Sequence, residues 1–189
     1  MGSPFATVFD WSPDGKSVLV SRYIDPTPSI WQLFVYPSLS GKSSAREIIS
    51  DPNYELYQAH FSPDGRWIVV NAVKNLLTST IYAIPAAGGS WIRITDGKQW
   101  DDKPRWSPDG KTIYFLSERR GFFNVWGVRF DPLKGRPHSE PFQVTSFETP
   151  TLMIPKNIAA VDVSLTDDRL VLPLAQVSGN IWILDDVDR

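Results

Sequence analysis

The chain has 189 residues, with 19 basic and 21 acidic side chains and 42% hydrophobic residues, enough apolar material for one domain-sized core. The nearly balanced charge removes the electrostatic reason to expect a nucleic-acid or anionic-membrane surface, since both require an excess of Lys and Arg. Because there is no cysteine, a disulfide framework, a thiolate metal site and a thiol nucleophile are excluded. No apolar run approaches the roughly 18 residues of a membrane-spanning helix, and no signal-peptide pattern is visible. The compartment is left open.

A six-residue motif recurs along the chain and defines an internal repeat. Residues 11–16 read WSPDGK, residues 61–66 read FSPDGR, and residues 106–111 read WSPDGK again. The motif serines are 50 and then 45 residues apart. A degenerate fourth copy, VSLTDD, occupies residues 163–168. The spacing indicates four units of similar size.

Each unit contains short apolar runs that predict β-strands. The runs that directly follow the motif are residues 17–21, 67–71, 112–116 and 170–172. The second runs are residues 30–33, 81–84, 125–128 and 181–184, and the polar residues before them are Ser29, Thr80, Asn124 and Asn180. Third runs are residues 47–49, 91–95 and 142–145. The fourth unit has only residues 185–189 left, which are too short and too acidic for such a strand.

The Ser-Pro-Asp-Gly element predicts a tight hairpin turn between the first and second strands of a unit. Proline presets φ at the first turn position, aspartate bonds its own backbone, and glycine takes the left-handed conformation. The predicted turn residues are Pro13, Asp14, Gly15, Pro63, Asp64, Gly65, Pro108, Asp109 and Gly110. The recurrence of the three aspartates is explained by this turn chemistry and does not require a catalytic role.

Four strands per unit of 45 to 50 residues, with no sustained helical periodicity, predict an all-β fold and specifically a β-propeller of about four blades. The motif, together with residues 115–126 (FLSERRGFFNVW), resembles the repeat of TolB-type propellers, which is also found in tricorn and prolyl-oligopeptidase propeller domains. The resemblance covers residues 5–184 and implies the fold far more specifically than the function.

The expected blades are residues 5–50, 54–97, 101–147 and 157–186, each a four-stranded antiparallel sheet, with the last incomplete. Two interpretations are open: a complete four-bladed ring, or half of a larger propeller at the C-terminal end of a larger bacterial protein. The incomplete last blade favours the second. We then expect the flat apolar faces of the first and last blades to associate, in a homodimer that completes a ring.

The richest candidate binding site is a predicted loop at Trp100, Asp101 and Asp102, beside Tyr54, Glu55 and Tyr57. Carboxylates and aromatic rings near a channel mouth suit a cation, a sugar or a peptide amine. The structural alternative is a solvated loop whose aspartates cap backbone amides. No cofactor is predicted, because no phosphate-binding glycine loop is present, and no metal site is predicted, because no loop carries regularly spaced oxygen ligands.

The polar residues before the first-strand aromatics form a second candidate group. His60 occupies the place held by Asp10, Arg105 and Asp162 in the other units. This pattern predicts hydrogen bonds between blades or a row that faces the channel. No Gly-x-Ser-x-Gly elbow accompanies His60, so a Ser-His-Asp triad is not indicated. The repeated tryptophans at 11, 31, 106, 126 and 182 are predicted to be core residues, and Trp100 to be an exposed anchor.

These observations favour a non-catalytic binding, sensor or protein-interaction module, part of a larger bacterial regulatory protein. Its partner would be a protein or peptide, or a small ligand at the channel mouth, and neither nucleic-acid binding nor membrane insertion is expected. The alternative is the propeller that controls substrate access in a serine peptidase of the tricorn or prolyl-oligopeptidase type. A third function, a lyase or lactonase that uses channel residues, requires convergent polar groups at the axis.

Overall fold

The computed structural model describes residues 5–24, 30–37, 45–74 and 78–179. Apart from a 3₁₀ turn at Ile158–Ala160, the regular structure in these ranges is entirely β. The first sheet comprises β1 (Phe5–Trp11), β2 (Ser17–Ile24), β3 (Ile30–Pro37) and β4 (Arg46–Asp51). The second comprises β5 (Glu55–Phe61), β6 (Trp67–Val73), β7 (Ser79–Pro85) and β8 (Ile92–Arg93).

The third sheet repeats this order with β9 (Asp101–Trp106), β10 (Thr112–Ser117) and β11 (Asn124–Asp131). Two short strands, β12 (Arg136–Pro137) and β13 (Phe142–Gln143), pair with different parts of β11. A hairpin of β14 (Ser164–Leu165) and β15 (Leu170–Val171) follows. All these pairings are antiparallel. They join strands that are consecutive in the chain, except that β13 pairs with β11.

The first strands of successive sheets lie side by side, which gives the molecule its propeller architecture. Strand β5 contacts both β1 and β9, and β14 contacts β9. These strands therefore surround a common axis, and the later strands of each sheet lie progressively outward. The predicted fold class, an all-β propeller built from four-stranded antiparallel blades, is confirmed. The predicted strand at 181–184, which would belong to the fourth blade, lies outside the described residues.

The apolar core is divided among the junctions between blades. Leu19, Leu56 and Ile84 belong to a cluster between blades 1 and 2, whereas Ile81 and Ile113 belong to one between blades 2 and 3. A third cluster joins blade 3 to residues 154–163. Because blade 2 lies between two neighbours and buries both of its faces, its middle strands are largely apolar on both sides rather than alternating, as in the run of buried residues in β6.

The register of the first blade differs from the prediction made by aligning apolar runs. That alignment matched Trp31 with Tyr82 and Trp126, and Ser29 with Thr80 and Asn124. The pairing with the neighbouring strand instead places Phe34 opposite Val20, as Tyr82 is opposite Val70. The equivalent of Thr80 is therefore Gln32, opposite Arg22. The alignment was wrong by three residues because the β2–β3 hairpin extends further than its counterparts.

The prediction that the repeated tryptophans are core residues is confirmed for two of them and wrong for one. Trp106 and Trp126 are buried, but 51% of Trp11 is exposed. Trp106 lies against the preceding blade and donates its indole N–H to the carbonyl of His60 at 3.2 Å. No blade precedes Trp11 in the described part of the chain. The side chain of Trp31 and the whole of Trp182 lie outside the described residues.

The Ser-Pro-Asp-Gly turns have the predicted conformation in all three copies. In the second copy, Gly65 has φ of +69° and donates its N–H to the Ser62 carbonyl at 2.8 Å. The Ser62 hydroxyl donates to Asp64 at 2.6 Å and accepts the Trp67 N–H at 2.9 Å. The same distances recur in the turns of Ser12 and Ser107. In the fourth copy, a shorter turn closes with the Thr166 N–H donating to the Arg169 carbonyl.

We expect Ser62→Ala to lower the free energy of unfolding by about 1–3 kcal/mol, because the substitution leaves the partly buried N–H of Trp67 without its acceptor. Ser90→Ala is the matched control, since Ser90 is exposed. Urea unfolding of both variants measures the difference. A Ser62→Ala variant within about 0.5 kcal/mol of wild type, the usual range for surface substitutions, would show that the hydrogen bonds of the Ser62 hydroxyl do not stabilise the fold.

Candidate functional site

A β-bulge in each of the inner strands β1, β5 and β9 determines which side chains face the axis. The pairing with the second strand is interrupted between Val8 and Asp10, between Tyr57 and His60, and between Asp102 and Arg105. In the second and third blades the bulge contains a non-glycine residue with positive φ, Gln58 at 51° and Lys103 at 53°. Bulges of this kind bend a strand and redirect the residues that follow.

The residues after these bulges are Asp10, His60 and Arg105, and they connect neighbouring blades. One carboxylate oxygen of Asp10 accepts the Phe61 N–H of the next blade at 2.9 Å and lies 3.5 Å from Nδ1 of His60. Arg105 donates from Nε to the Val163 carbonyl at 2.8 Å and from Nη2 to Asp162. The predicted hydrogen-bonding row between blades is confirmed.

The electrostatics of this row favour an ionised aspartate beside a neutral histidine. Burial alone would raise the pKa of Asp10, but hydrogen bonds from His60 and the Phe61 N–H outweigh it and hold the pKa below the ordinary value. Burial lowers the pKa of His60 and outweighs the opposing effect of Asp10. Nε2 of His60 is buried and has no hydrogen-bond partner among the described residues. Since no described serine bonds to this imidazole, the row does not constitute a catalytic triad.

A depression with a volume of about 460 Å³ lies where the inner strands reach the Ser-Pro-Asp-Gly turns. The polar row contributes Asp10, His60 and Arg105 to its lining. Its other lining residues include the half-exposed Trp11 and the three motif prolines, Pro13, Pro63 and Pro108. It combines charged groups, which are largely satisfied by intramolecular hydrogen bonds, with rigid apolar surface. Sequence reasoning missed this depression because it assigned Trp11 to the core and the prolines to turns alone.

The structure places Asp101 and Asp102 differently from the prediction. They were expected in a connecting loop, but they begin β9 and are buried, with 0% and 7% of their surface exposed. Asp101 pairs with Arg119 at 3.0 Å, and its backbone carbonyl accepts hydrogen bonds from Asn71 and Ser79. Both aspartates are buried because Asn71 and Ser79 of the preceding blade supply polar partners for the start of β9, and this contact between blades has no local sequence signal.

Arg119 completes this arrangement and was not recognised from the sequence as a partner of Asp101. Its guanidinium lies 4.8 Å from the ring centre of Trp126 and 5.4 Å from that of Phe115. Such cation–π contacts add to the ion pair. Burial raises the pKa of Asp101, and hydrogen bonds from Ser117 and the charge of Arg119 offset burial only in part. This group therefore holds β9 to β10 and to the following loop.

The remaining predicted site residues are also engaged within the protein. Trp100 is half-buried against the third core cluster and donates its indole N–H to Asp102 at 3.2 Å. Tyr54 packs against Tyr82 and Trp91, with ring centres 6.2 and 5.7 Å away. Tyr57 donates its hydroxyl to the exposed Glu55 at 2.6 Å. Burial is the main cause that raises the pKa of Tyr57, and this hydrogen bond raises it further. The binding role of the six residues stays a prediction.

The described part of the chain contains no group of three or more His, Asp or Glu side chains positioned to hold a metal ion. Within the same ranges, no helix has the length and apolar character needed to cross a membrane.

Comparison with known proteins agrees with this architecture. Residues 5–163 match the TolB beta propeller domain. The chain belongs to the TolB β-propeller domain family. It is 31% identical over 120 residues to the uncharacterised protein Atu1656 of Agrobacterium fabrum, an alignment that covers 64% of this chain and 39% of that protein. It is 35% identical over 78 residues to the uncharacterised peptidase YuxL of Bacillus subtilis, covering 39% of this chain and 11% of that protein.

Two solved structures show the same fold. TolB from Acinetobacter baumannii aligns with a TM-score of 0.60 at 19% identity, over 94% of this chain and 42% of the TolB chain. A prolyl endopeptidase aligns with a TM-score of 0.65 at 18% identity, over 91% of this chain and 25% of the other. The predicted resemblance to TolB-type and prolyl-oligopeptidase propellers is confirmed. The chain spans less than half the length of these four proteins.

We expect Asp101→Asn and Asp109→Asn to change the pH dependence of stability in opposite directions. Since burial raises the folded-state pKa of Asp101, the wild type loses free energy of unfolding as the pH rises from the ordinary value of 3.8 through the folded value. Hydrogen bonds from Ser107 and the Lys111 N–H lower the pKa of Asp109, so the wild type loses stabilisation as the pH falls from 3.8 through that lowered value. Each asparagine variant lacks the corresponding effect.

Urea unfolding between about pH 2 and pH 7, the range in which carboxylates titrate, measures both differences from wild type. The stability of Asp101→Asn relative to wild type should increase with pH, and that of Asp109→Asn should decrease. Two difference curves of the same sign would contradict the assigned environments.

Proposed function

We propose that this domain is a non-catalytic binding module that recognises a protein or peptide. The observation that carries the proposal is the 460 Å³ depression at the Ser-Pro-Asp-Gly end of the axis. Its volume lies within the range of ligand-binding pockets. Trp11 supplies a large amphipathic contact surface there, of the kind that dominates binding energy at protein interfaces. The motif prolines add rigid surface that loses little conformational entropy on binding.

The charged groups of the depression support recognition rather than catalysis. Asp10 and Arg105 direct their polar atoms into hydrogen bonds between blades, and the lowered pKa of His60 leaves it neutral near pH 7. Groups held in this way present fixed dipoles and charges to a peptide, whose backbone offers both donors and acceptors. A lyase or lactonase would need several polar groups free to converge on a substrate. Most polar atoms of Asp10 and Arg105 are already used in hydrogen bonds between blades.

We also propose that the exposed face of the first blade mediates association between two copies of the chain. Ala6 and Val8, two residues apart on β1, are both exposed, Val8 at 61%, and no blade precedes them in the described part of the chain. A sheet face of this composition is suited to stacking on another sheet. In such a dimer, blade 1 would contact a blade of the second copy, and two partial propellers would form one ring.

The peptide proposal is tested by selecting binders from a phage-displayed random peptide library on the immobilised chain, followed by calorimetry with the enriched peptides. Trp11→Ser should weaken binding at least tenfold, about 1.4 kcal/mol. Leu133→Ser, which changes a residue that is 83% exposed elsewhere, should leave affinity unchanged. If Trp11→Ser binds like wild type while Trp100→Ser loses affinity, the binding surface lies at the opposite end of the axis, around Trp100, Glu55 and Tyr57.

The dimer proposal predicts a molar mass that rises with concentration. Light scattering coupled to size-exclusion chromatography should show dimers of the wild-type chain at high concentration and monomers of Val8→Lys, because a buried lysine at the interface is costly. Leu133→Lys, at an apolar position that is also exposed but lies on another blade, should dimerise like wild type. A wild-type chain that stays monomeric at every concentration would refute association through this face.

A second function, a propeller that controls substrate access in a serine peptidase, is supported by the identity of 35% with part of the peptidase YuxL. In that case the propeller itself would remain non-catalytic, and an α/β-hydrolase domain would lie elsewhere in the native polypeptide. An upstream winged-helix or kinase domain in the same polypeptide would favour a sensor instead.

A further inference from the structure

The junction between blades 1 and 2 differs from that between blades 2 and 3 at three equivalent positions, and the difference leaves it partly open. Trp67 in blade 2 is equivalent to Ser17 in blade 1, because each begins the second strand of its blade and donates its N–H to the hydroxyl of the turn serine. Trp106 ends β9 as Phe61 ends β5. Phe130 and Ala86 are also equivalent, because their N–H groups donate to the carbonyls of Lys111 and Arg66 at the same turn position. The aromatic triplet Trp67, Trp106 and Phe130 thus corresponds to Ser17, Phe61 and Ala86.

The junction between blades 2 and 3 is filled by its aromatic triplet. Trp67 and Trp106 both pack edge-on against Phe130, with ring centres 5.2 and 5.3 Å away. The indole N–H of Trp67 donates to the Pro132 carbonyl at 3.1 Å. The ring lies so close to Gly135 that a Cβ there would approach it to 2.5 Å. This junction shows that an indole ring fits between two blades at this position.

The junction between blades 1 and 2 contains a cavity of about 320 Å³ in the corresponding place. Ser17 and Ala86 are too small to fill it, and the half-buried Val35 and Phe61 provide apolar walls. Arg46 also lines the cavity and donates from Nη2 to the Ala86 carbonyl at 2.8 Å. The volume falls within the range of small-ligand sites.

Arg46 is the one cation in the described lining of this cavity and provides a binding partner for an acidic ligand group. Arg46 forms no ion pair among the described residues, and its planar guanidinium suits a carboxylate. Asp14 and Asp64 line the same cavity, but each accepts hydrogen bonds from its own turn, and Asp64 also pairs with Arg66 at 2.7 Å. Both carboxylates are therefore bound within their own turns, whereas the guanidinium of Arg46 has no carboxylate partner in the described part of the chain.

The junction that follows Thr112, the equivalent of Trp67 in blade 3, makes a useful contrast. It holds a cavity of about 610 Å³, whose lining includes Asp109, Asp167 and Asp168 with one cation, Arg169. Arg169 lies 3.6 Å from Asp168. This cavity has a small residue at the position of Trp67, but its one cation already has a carboxylate partner and its lining holds three aspartates, so it does not suit a carboxylate.

We propose that the cavity between blades 1 and 2 binds an aromatic side chain that carries a nearby carboxylate, such as the C-terminal aromatic residue of a partner peptide. The ring occupies the space that Trp67 and Phe130 fill one junction further on, between Val35 and Phe61. The carboxylate pairs with Arg46 at the rim. This site adjoins the depression at the axis, with which it shares Pro13 and Phe61, but its lining does not include Trp11.

The test uses N-acetyl-L-tryptophan, titrated into the ¹⁵N-labelled chain and followed by NMR. Amide shifts should concentrate at Ser17, Val35 and Ala86, which line this cavity and not the depression at the axis. N-acetyl-L-tryptophanamide, which lacks the carboxylate, should bind at least fivefold more weakly. Arg46→Met should bring the acid to the affinity of the amide. Equal affinity of the two probes for wild type, or shifts confined to the surroundings of Trp11 or Thr112, would overturn the proposal.

A second experiment fills the cavity with a larger side chain from either of its walls. Ser17→Trp and Ala86→Phe should each abolish the shifts, so that the test survives if one of them fails to fold. Thr112→Trp introduces the same ring at the equivalent position of blade 3 and should leave binding of N-acetyl-L-tryptophan unchanged. Full binding to a folded Ser17→Trp variant, or loss on Thr112→Trp, would show that the probe does not enter the junction between blades 1 and 2.

Discussion

The structure depends on one constraint: a four-stranded sheet with two apolar faces cannot bury them by itself. Each blade must stack on a neighbour, and the three core clusters accordingly lie at or beyond the junctions between blades rather than within any single sheet. Hydrophobic burial provides the main stabilisation, and the hydrogen bonds of Asp10 and Arg105 fix how one inner strand is placed against the next. Repeat proteins of this kind are stabilised by nearest-neighbour contacts.

Local chemistry explains why the architecture was predictable from the sequence. The hydroxyl of Ser62, the carboxylate of Asp64 and the left-handed Gly65 interact within six consecutive residues, so the motif alone defines the turn. Three such turns at regular intervals then determine the strand order, because consecutive strands pair as hairpins. The equivalence of Asp10, His60 and Arg105 was also predictable, since a fixed offset from the turn keeps these residues at the same level of the propeller.

Features that depend on a neighbouring blade were not predictable. Asp101 and Asp102 look like loop carboxylates in the sequence, but Asn71 and Ser79 of the previous blade bury them at the start of β9. Trp11 and Trp106 have identical motif contexts, yet only Trp106 is covered. The position of Phe34 depends on the length of the β2–β3 hairpin, which apolar patterning does not reveal. In each case the missing information is the contact partner.

The unequal filling of the blade junctions implies that cooperativity varies along the chain. Blades 2 and 3 share a packed aromatic triplet, so they should open and close as one unit. Blades 1 and 2 are separated in part by empty space, and empty space contributes no dispersion energy. The first blade should therefore open at a lower free energy than blades 2 and 3, and amides in β2 and β3 should exchange with solvent before those in β6 and β10. Blades 2 and 3 thus form the more stable unit, and blade 1 is attached to it less stably.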